Sequence, residues 1–221
     1  MTYRLGRLPH DPARVAAVQP HRMGASGPLP ATYPGAARTW TPTTSLRGTL
    51  PTCVVDGLAN SARLWAMRNG FDLVVDDGKL LGLYAMLAGC APTPEAIGLT
   101  DGLVMLAALE HVAAHGFDIG LQTPLAMEFR AIDPQDNAAI RDAIYTKASA
   151  LMGVTLYQND MQEPLSWQGA PAGAVVGGHC IVPWRWGVGG FEDATWGETI
   201  DCDDAWLAAR IEEGYALAWG L

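Results

Sequence analysis

Residues Val176 to Glu198 read V-G-G-H-C-I-V-P-W-R-W-G-V-G-G-F-E-D-A-T-W-G-E, and this stretch decides the fold. A glycine pair leads into His179, an apolar run follows, and a Gly-rich turn precedes a second segment that ends in Thr-Trp-Gly. The pattern predicts two adjacent antiparallel strands, with His179 near the start of the first. Because glycine has no Cβ, the pair allows another backbone or a ligand to approach this strand closely.

The segments outside this stretch predict helices first and strands second. Apolar residues at helical spacing, caps and stop signals give the helices, and β-branched and aromatic residues give the strands. The predicted helices are Thr52–Asn69 with Thr52 as N-cap, Lys79–Gly89, Asp101–His115 with Gly116 as C-cap, Gln135–Leu151 and Asp203–Glu213. The V-T-L-Y segment at 154–157 predicts a strand, residues 158–171 a loop, and Tyr215–Trp219 a closing strand or helix end. This order indicates an α+β domain with a helical lobe followed by an antiparallel sheet lobe.

Composition limits the class of protein. Of the 221 residues, 49% are hydrophobic and 17% are charged, which is enough apolar sequence to build a sizeable core. The net charge of −9 argues against general nucleic-acid binding by the body. Four cysteines are too few for a disulfide scaffold, and the N-terminus lacks the apolar core of a signal peptide, so we expect synthesis in a reducing cytosol and no membrane partner.

The first 49 residues differ from the rest. They hold seven of the fifteen prolines and six arginines with one acid, so they carry +5 while residues 50–221 carry −14. Proline-dense sequence favours extended backbone over helix. We therefore predict an extended basic arm at 1–49 and a folded domain at 50–221. The arm either lies as a belt on its own acidic body or reaches a neighbouring subunit.

Cys53 and His179 are the candidate reactive pair. A cysteine in the first turn of a helix has its thiolate stabilised by unpaired backbone N–H groups and the helix dipole. A neighbouring imidazolium lowers the thiol pKa further and yields a nucleophile for carbonyl groups. The alternatives are a buried structural thiol and a hydrogen-bonded core histidine. We expect the two residues to lie near each other.

Other polar clusters favour structural roles, so no metal or cofactor is expected. Glu110, His111 and His115 share a helix face but lack the H-E-x-x-H order and a third ligand, which is typical of an amphipathic helix surface. The acids between 201 and 204 do not follow the spacing of a calcium loop and suit a helix N-terminus.

The order of motifs resembles papain-like cysteine peptidases, including papain-fold proteins encoded by tailed phages and prophages. The resemblance covers roughly 50–221: a cysteine heading a helix, the D-G-L-V-M-L-A-A-L helix, an apolar strand, then G-G-H and T-W-G. It implies a two-lobed papain-like fold. It also implies that Cys53 is the nucleophile and His179 the general base.

Two positions depart from the family's pattern. The residue that orients the histidine is usually asparagine, but Ala194 stands there, and Asp193 beside it is the remaining candidate. The oxyanion glutamine is replaced by Arg47, which could donate to the oxyanion with a different charge and length. Loss of one oxyanion donor costs roughly 10²–10³ in rate.

The resemblance therefore implies two functions. The first is a virion structural or assembly component with a degenerate Cys–His site, which contacts other virion subunits through the arm. The second is an active peptidase or amidase that acts on a virion protein or a peptidoglycan peptide. Either would place the protein in a virion or in the host cytoplasm.

Overall fold

In a computed structural model of the protein, helix α2 (Cys53–Arg68) lies at the centre. The structure describes residues 4–25, 27–35, 40–43 and 48–221. Twelve of the sixteen residues of α2 are buried. Its Gly57 lets the sheet approach, since a Cβ there would lie 2.9 Å from Cys180 Sγ. The predicted helix 52–69 is thus confirmed, with Thr52 and Asn69 at its caps.

Most helices precede most strands along the chain, as predicted. Among the described residues the other helices are α1 (Pro12–Ala17), α3 (Asp77–Ala88), α4 (Pro94–Ile97), α5 (Met105–His115), α6 (Asn137–Lys147), α7 (Gln158–Gln162) and α8 (Asp204–Arg210). The strands are β1 (Ala126–Ile132), β2 (Ala150–Tyr157), β3 (Ser166–Trp167), β4 (Val175–Gly187), β5 (Gly190–Thr195), β6 (Glu198–Asp203) and β7 (Ile211–Gly220). The α+β class, with helices first and sheet second, is confirmed.

The seven strands form one sheet in the order β1-β7-β2-β4-β5-β6-β3. All neighbouring pairs are antiparallel except β3 and β6, which are parallel. Residues 176–198 form nearly all of β4, the whole of β5 and the start of β6, and Trp186 of β4 pairs with Phe191 of β5. The two predicted strands are therefore adjacent and antiparallel.

Two apolar cores hold the helices to the sheet. One contains the apolar sides of α2, α3 and α5 together with Cys180 and Val182 of β4. The other contains those of α6 and α8 together with Ile181 of β4 and Met152 of β2. Because successive residues of a strand point to opposite faces, the cores cover the two faces of the sheet.

Several predicted boundaries are wrong. The helix predicted at 135–151 ends at Lys147, because Ala148 adopts a left-handed conformation (φ 83°) and Ala150 begins β2. The apolar run Ala150–Met152 fits either type of element, and pairing with β7 and β4 makes it a strand. The predicted loop 158–171 contains α7 and β3. The helix predicted at 203–213 ends at Arg210, and β7 begins at Ile211.

The described part of the N-terminal segment lies on the protein's own body. Gln19 and His21 pair through their backbones with Ala131 at the outer edge of β1, and Tyr33 pairs with Trp186 of β4. The carboxylate of Asp142 on α6 accepts hydrogen bonds from the backbone N–H groups at 24 and 25. A contact between this segment and another subunit stays a prediction, as does a domain boundary at residue 49.

None of the helices within the described ranges is long and apolar enough to cross a membrane.

Candidate active site

Cys53 is the first residue of α2, at the place predicted for a nucleophile. The preceding Thr52 does not cap the helix with its side chain, and its Oγ1 donates instead to Asp56 Oδ2 at 2.8 Å. The thiol is 7% exposed. Burial, with a smaller contribution from the charge of Asp56, raises the pKa of Cys53 to about 12. Hydrogen bonds with the backbone of Cys180 and Gly6 lower the pKa but do not offset burial, so the thiol is neutral.

His179 lies on β4, fully buried. Its Nε2 is 2.5 Å from Thr195 Oγ1, and its ring stacks on Trp196 with the centroids 4.5 Å apart. The Nδ1 atom has no hydrogen-bond partner among the described residues. Burial, with a smaller contribution from the positive charge of Arg7, lowers the pKa of His179 to about 3. The imidazole is therefore neutral at physiological pH.

The structure brings Cys53 to the strand that carries His179, yet the residue beside the thiol is Cys180. A concavity of about 10 Å³ next to Cys53 is lined in part by Cys180, Thr195 and Trp196, and His179 is not among its described lining residues. Neither ring nitrogen of His179 hydrogen-bonds to Cys53, since Nε2 faces Thr195 and Nδ1 is unpartnered among the described residues. The concavity has room for about one water molecule.

Asp193, the candidate for orienting His179, is hydrogen-bonded elsewhere. The thiol of Cys202 donates to its Oδ2 at 2.7 Å, and its Oδ1 is unpartnered within the described chain. Burial raises the pKa of Asp193 to about 7. Ala194 belongs to the core on the α2 side of the sheet. Arg47, the candidate oxyanion donor, lies outside the described residues.

Thr195 is the residue that the sequence reasoning missed. It takes the position beside the imidazole that was assigned to Asp193. Strand alternation was the available signal, because residues 193 and 195 share one face of β5. A threonine hydroxyl can position a ring nitrogen, but unlike a carboxylate it carries no charge to stabilise an imidazolium.

The cleft beside Cys53 is filled by residues 4–8 of the same chain. The backbone N–H of Arg7 donates to Gly178 O of β4 at 3.1 Å. On the other side, Leu103 N donates to Gly6 O and Leu8 N donates to Leu103 O, both at 2.8 Å. A Cβ at Gly178 would lie 2.4 Å from Arg7 O, which shows why glycine precedes His179. The close approach predicted from the glycine pair is thus made by the N-terminal backbone.

Within the described ranges, no group of three or more His, Cys, Asp or Glu side chains is placed to hold a metal ion. On α5, His111 and His115 stack on each other with centroids 4.5 Å apart, and Glu110 forms an ion pair with Arg14 at 2.5 Å. On the other lobe, Asp203 caps α8 by accepting from Trp206 N. These contacts are structural.

Solved structures resemble nearly the whole chain. No protein-family model and no curated protein matches it. Xylellain, a cysteine protease from Xylella fastidiosa, superposes with a TM-score of 0.73 at 10% identity over 98% of this chain and 95% of that chain. Procathepsin B S9 from Trypanosoma congolense superposes with a TM-score of 0.65 at 12% identity, over 99% of this chain and 87% of that chain. The Carica candamarcensis cysteine protease CMS1MS2, in complex with E-64, superposes with a TM-score of 0.59 at 13% identity, over 86% of this chain and 99% of that chain.

These similarities establish the fold, which is that of the papain-like cysteine proteases. At such low identity they carry no statement about activity. What the described site can do is set by its own geometry, in which a neutral thiol and a neutral imidazole are not hydrogen-bonded to each other.

Proposed function

We propose that this chain is a papain-fold structural or assembly component of a phage-type particle, with a Cys–His site that does not catalyse. The observation that carries the proposal is the protonation state of the pair. A thiolate–imidazolium nucleophile needs a thiol pKa below that of its imidazole partner, whereas here Cys53 has a pKa of about 12 and His179 of about 3.

The filled cleft supports the same proposal. Residues 4–8 form backbone hydrogen bonds to Gly178 on one side and Leu103 on the other. A substrate carbonyl could not reach Cys53 while these bonds persist. The side chain of Arg7 is buried and forms ion pairs with Glu212 and Glu213. Removing one partner from a buried ion pair costs about 3–5 kcal/mol, so the segment is firmly held.

The place in a particle is inferred from the sequence resemblance to phage-encoded papain-fold proteins and from the charge contrast between the basic arm and acidic body. Such a component should sediment with purified particles in stoichiometric amount. A protein found only in the soluble fraction of the producing cell would contradict the assembly role.

A latent cysteine peptidase or amidase is the second candidate, and one observation favours it. The match to procathepsin B S9 covers 99% of this chain and so takes in the N-terminal segment. In that case Cys53 and His179 would become an active pair only after residues 4–8 left the cleft.

Thiol reactivity separates the two candidates once residues 4–8 are released, so it is measured on the wild type and on Gly178→Ala, whose Cβ would lie 2.4 Å from Arg7 O. The protein is incubated with an electrophilic thiol probe at about pH 6 and about pH 8, and labelling at each cysteine is followed by mass spectrometry. The half-buried Cys90 is the internal control for an ordinary accessible thiol. We expect Cys53 to label far more slowly than Cys90 at both pH values. Rapid labelling of Cys53 at the lower pH, abolished by His179→Ala, would establish the peptidase.

A further inference from the structure

The side chain of Arg7 occupies a slot made for it. The arginine slot consists of Gly153 on β2, Gly178 on β4, and Glu212 and Glu213 on β7. Arg7 Nη1 donates to Glu213 Oε1 at 2.8 Å, and Nη2 donates to Glu212 Oε2. The side chains of Arg7 and Glu213 are 1% and 0% exposed.

The residues around the slot leave space for a long side chain. A Cβ at Gly153 would lie 2.8 Å from Arg7 Cδ and 2.8 Å from Glu213 Cγ, so any larger residue would close the slot. Tyr215 Oη donates to Glu213 Oε2 at 2.8 Å and fixes that carboxylate. The slot is therefore walled by glycines and has two acids at its end.

Two carboxylates at different positions favour arginine over lysine. The guanidinium presents separate N–H groups in a rigid fork, so that Nη1 and Nη2 can each serve one acid. The lysine ammonium is a single point charge on a flexible stem and cannot hold both contacts with the same geometry. An empty slot leaves Glu213 buried without its cation.

Backbone pairing on both sides of the slot selects an extended ligand. Gly178 O accepts from Arg7 N, and Leu103 exchanges hydrogen bonds with Gly6 O and Leu8 N. These backbone groups bind the main chain of an extended segment, and the slot binds its side chain. Strands that add to a sheet edge are recognised in the same way. A Cβ at Gly6 would lie 2.0 Å from Pro51 O, so the passage accepts glycine at this position of the segment.

We infer that this passage is a recognition site for an extended Gly-Arg-Leu segment of a partner protein, and that residues 6–8 are its built-in ligand. The inference rests on the proposed function, because it names the chemistry by which an assembly component would hold a partner. It requires no cleavage, so a peptide-binding measurement and the thiol-reactivity measurement fail independently.

The test uses the full-length Arg7→Ala variant, which vacates the slot, and a fluorescent peptide copying residues 4–9, followed by fluorescence anisotropy. We expect this variant to bind the peptide, and a peptide with lysine at the Arg7 position to bind at least about tenfold more weakly. Adding Glu213→Gln should abolish the preference. The matched control is Arg14→Ala, which removes a half-exposed arm arginine paired with Glu110 and should leave the slot filled.

A second measurement applies if Arg7→Ala does not fold. Excess peptide is added to the Arg7→Lys variant, whose lysine cannot hold both acids, and hydrogen–deuterium exchange is followed at residues 5–8. Displacement of the built-in segment should speed exchange there, and the lysine peptide should have less effect. No binding in either format, or equal binding of the arginine and lysine peptides, would overturn the inference.

Discussion

His179 Nε2 faces the hydroxyl of Thr195 at 2.5 Å, and no carboxylate contacts the ring among the described residues. A charged imidazole would need an anion or several acceptors to offset its burial. Thr195 is neutral, and the nearby charge of Arg7 opposes protonation. The imidazole therefore stays neutral and does not form a thiolate–imidazolium pair with Cys53.

The stability of the protein should fall with acid because of His179. Its pKa is 6.5 in the unfolded chain and about 3 in the folded protein, so protons bind preferentially to the unfolded state between these values. Stability is fully present above about pH 6.5 and is lost as pH falls toward 3, by up to about 1.4 kcal/mol per pH unit. Urea unfolding of His179→Gln should show a shallower dependence across this window. The exposed His115→Gln is the control, and an unchanged slope in His179→Gln would contradict the account.

Asp193 should act in the opposite direction. Burial raises its pKa from 3.8 to about 7, so its contribution is fully present below about pH 4 and is lost as pH rises through 7. Asp193→Asn keeps an acceptor for Cys202 and cannot ionise. The variant should therefore gain stability relative to wild type between about pH 5 and pH 8, measured by urea unfolding. Asp101→Asn, at an exposed position before α5 and not among the charges that act on Asp193, should show no such gain. Parallel pH profiles of Asp193→Asn and wild type would be evidence against a buried neutral acid.

Asp142 should control attachment of the N-terminal segment. Its carboxylate accepts from Gly24 N, Ala25 N and His21, and these hydrogen bonds outweigh burial and lower its pKa below 3.8. That stabilisation is present above about pH 4 and is lost as pH falls through the lowered pKa. Asp142→Asn should cost about 1–3 kcal/mol and speed hydrogen exchange at residues 21–25.

The control for Asp142 is Asp118→Asn, which removes an exposed ion pair with Lys79 and should cost less than about 1 kcal/mol. Unchanged exchange at residues 21–25 in Asp142→Asn would show that this carboxylate does not hold the segment.

Gly178 should be essential for filling the cleft. Gly178→Ala places a Cβ 2.4 Å from Arg7 O and should push residues 5–8 away from β4. Limited proteolysis should then cut near Arg7 earlier than in wild type. Gly187→Ala on the same strand is the matched control, since a Cβ there meets nothing within 4 Å. Equal cleavage rates in the two variants would show that the segment does not depend on this contact.

Local features of the site could be predicted from the sequence, and long-range ones could not. Helix signals placed Cys53 at the start of α2, and the glycines before His179 predicted a close approach. Nothing local indicated that the approaching backbone is that of Arg7, because the contact joins residues about 170 positions apart along the chain. Thr195 was missed because the resemblance directed attention to the residues at 193 and 194. The neutral state of the pair depends on burial, which only the folded chain determines.

The charge state of Cys53 is the central claim, and the ultraviolet absorbance of its thiolate tests it most directly. The difference spectrum between wild type and Cys53→Ser is recorded as pH is raised from about 5 to about 10. With a pKa of about 12, Cys53 should contribute no thiolate absorbance anywhere in this range. A thiolate signal already present at about pH 6, and lost in His179→Ala, would contradict the account and establish a reactive Cys–His pair.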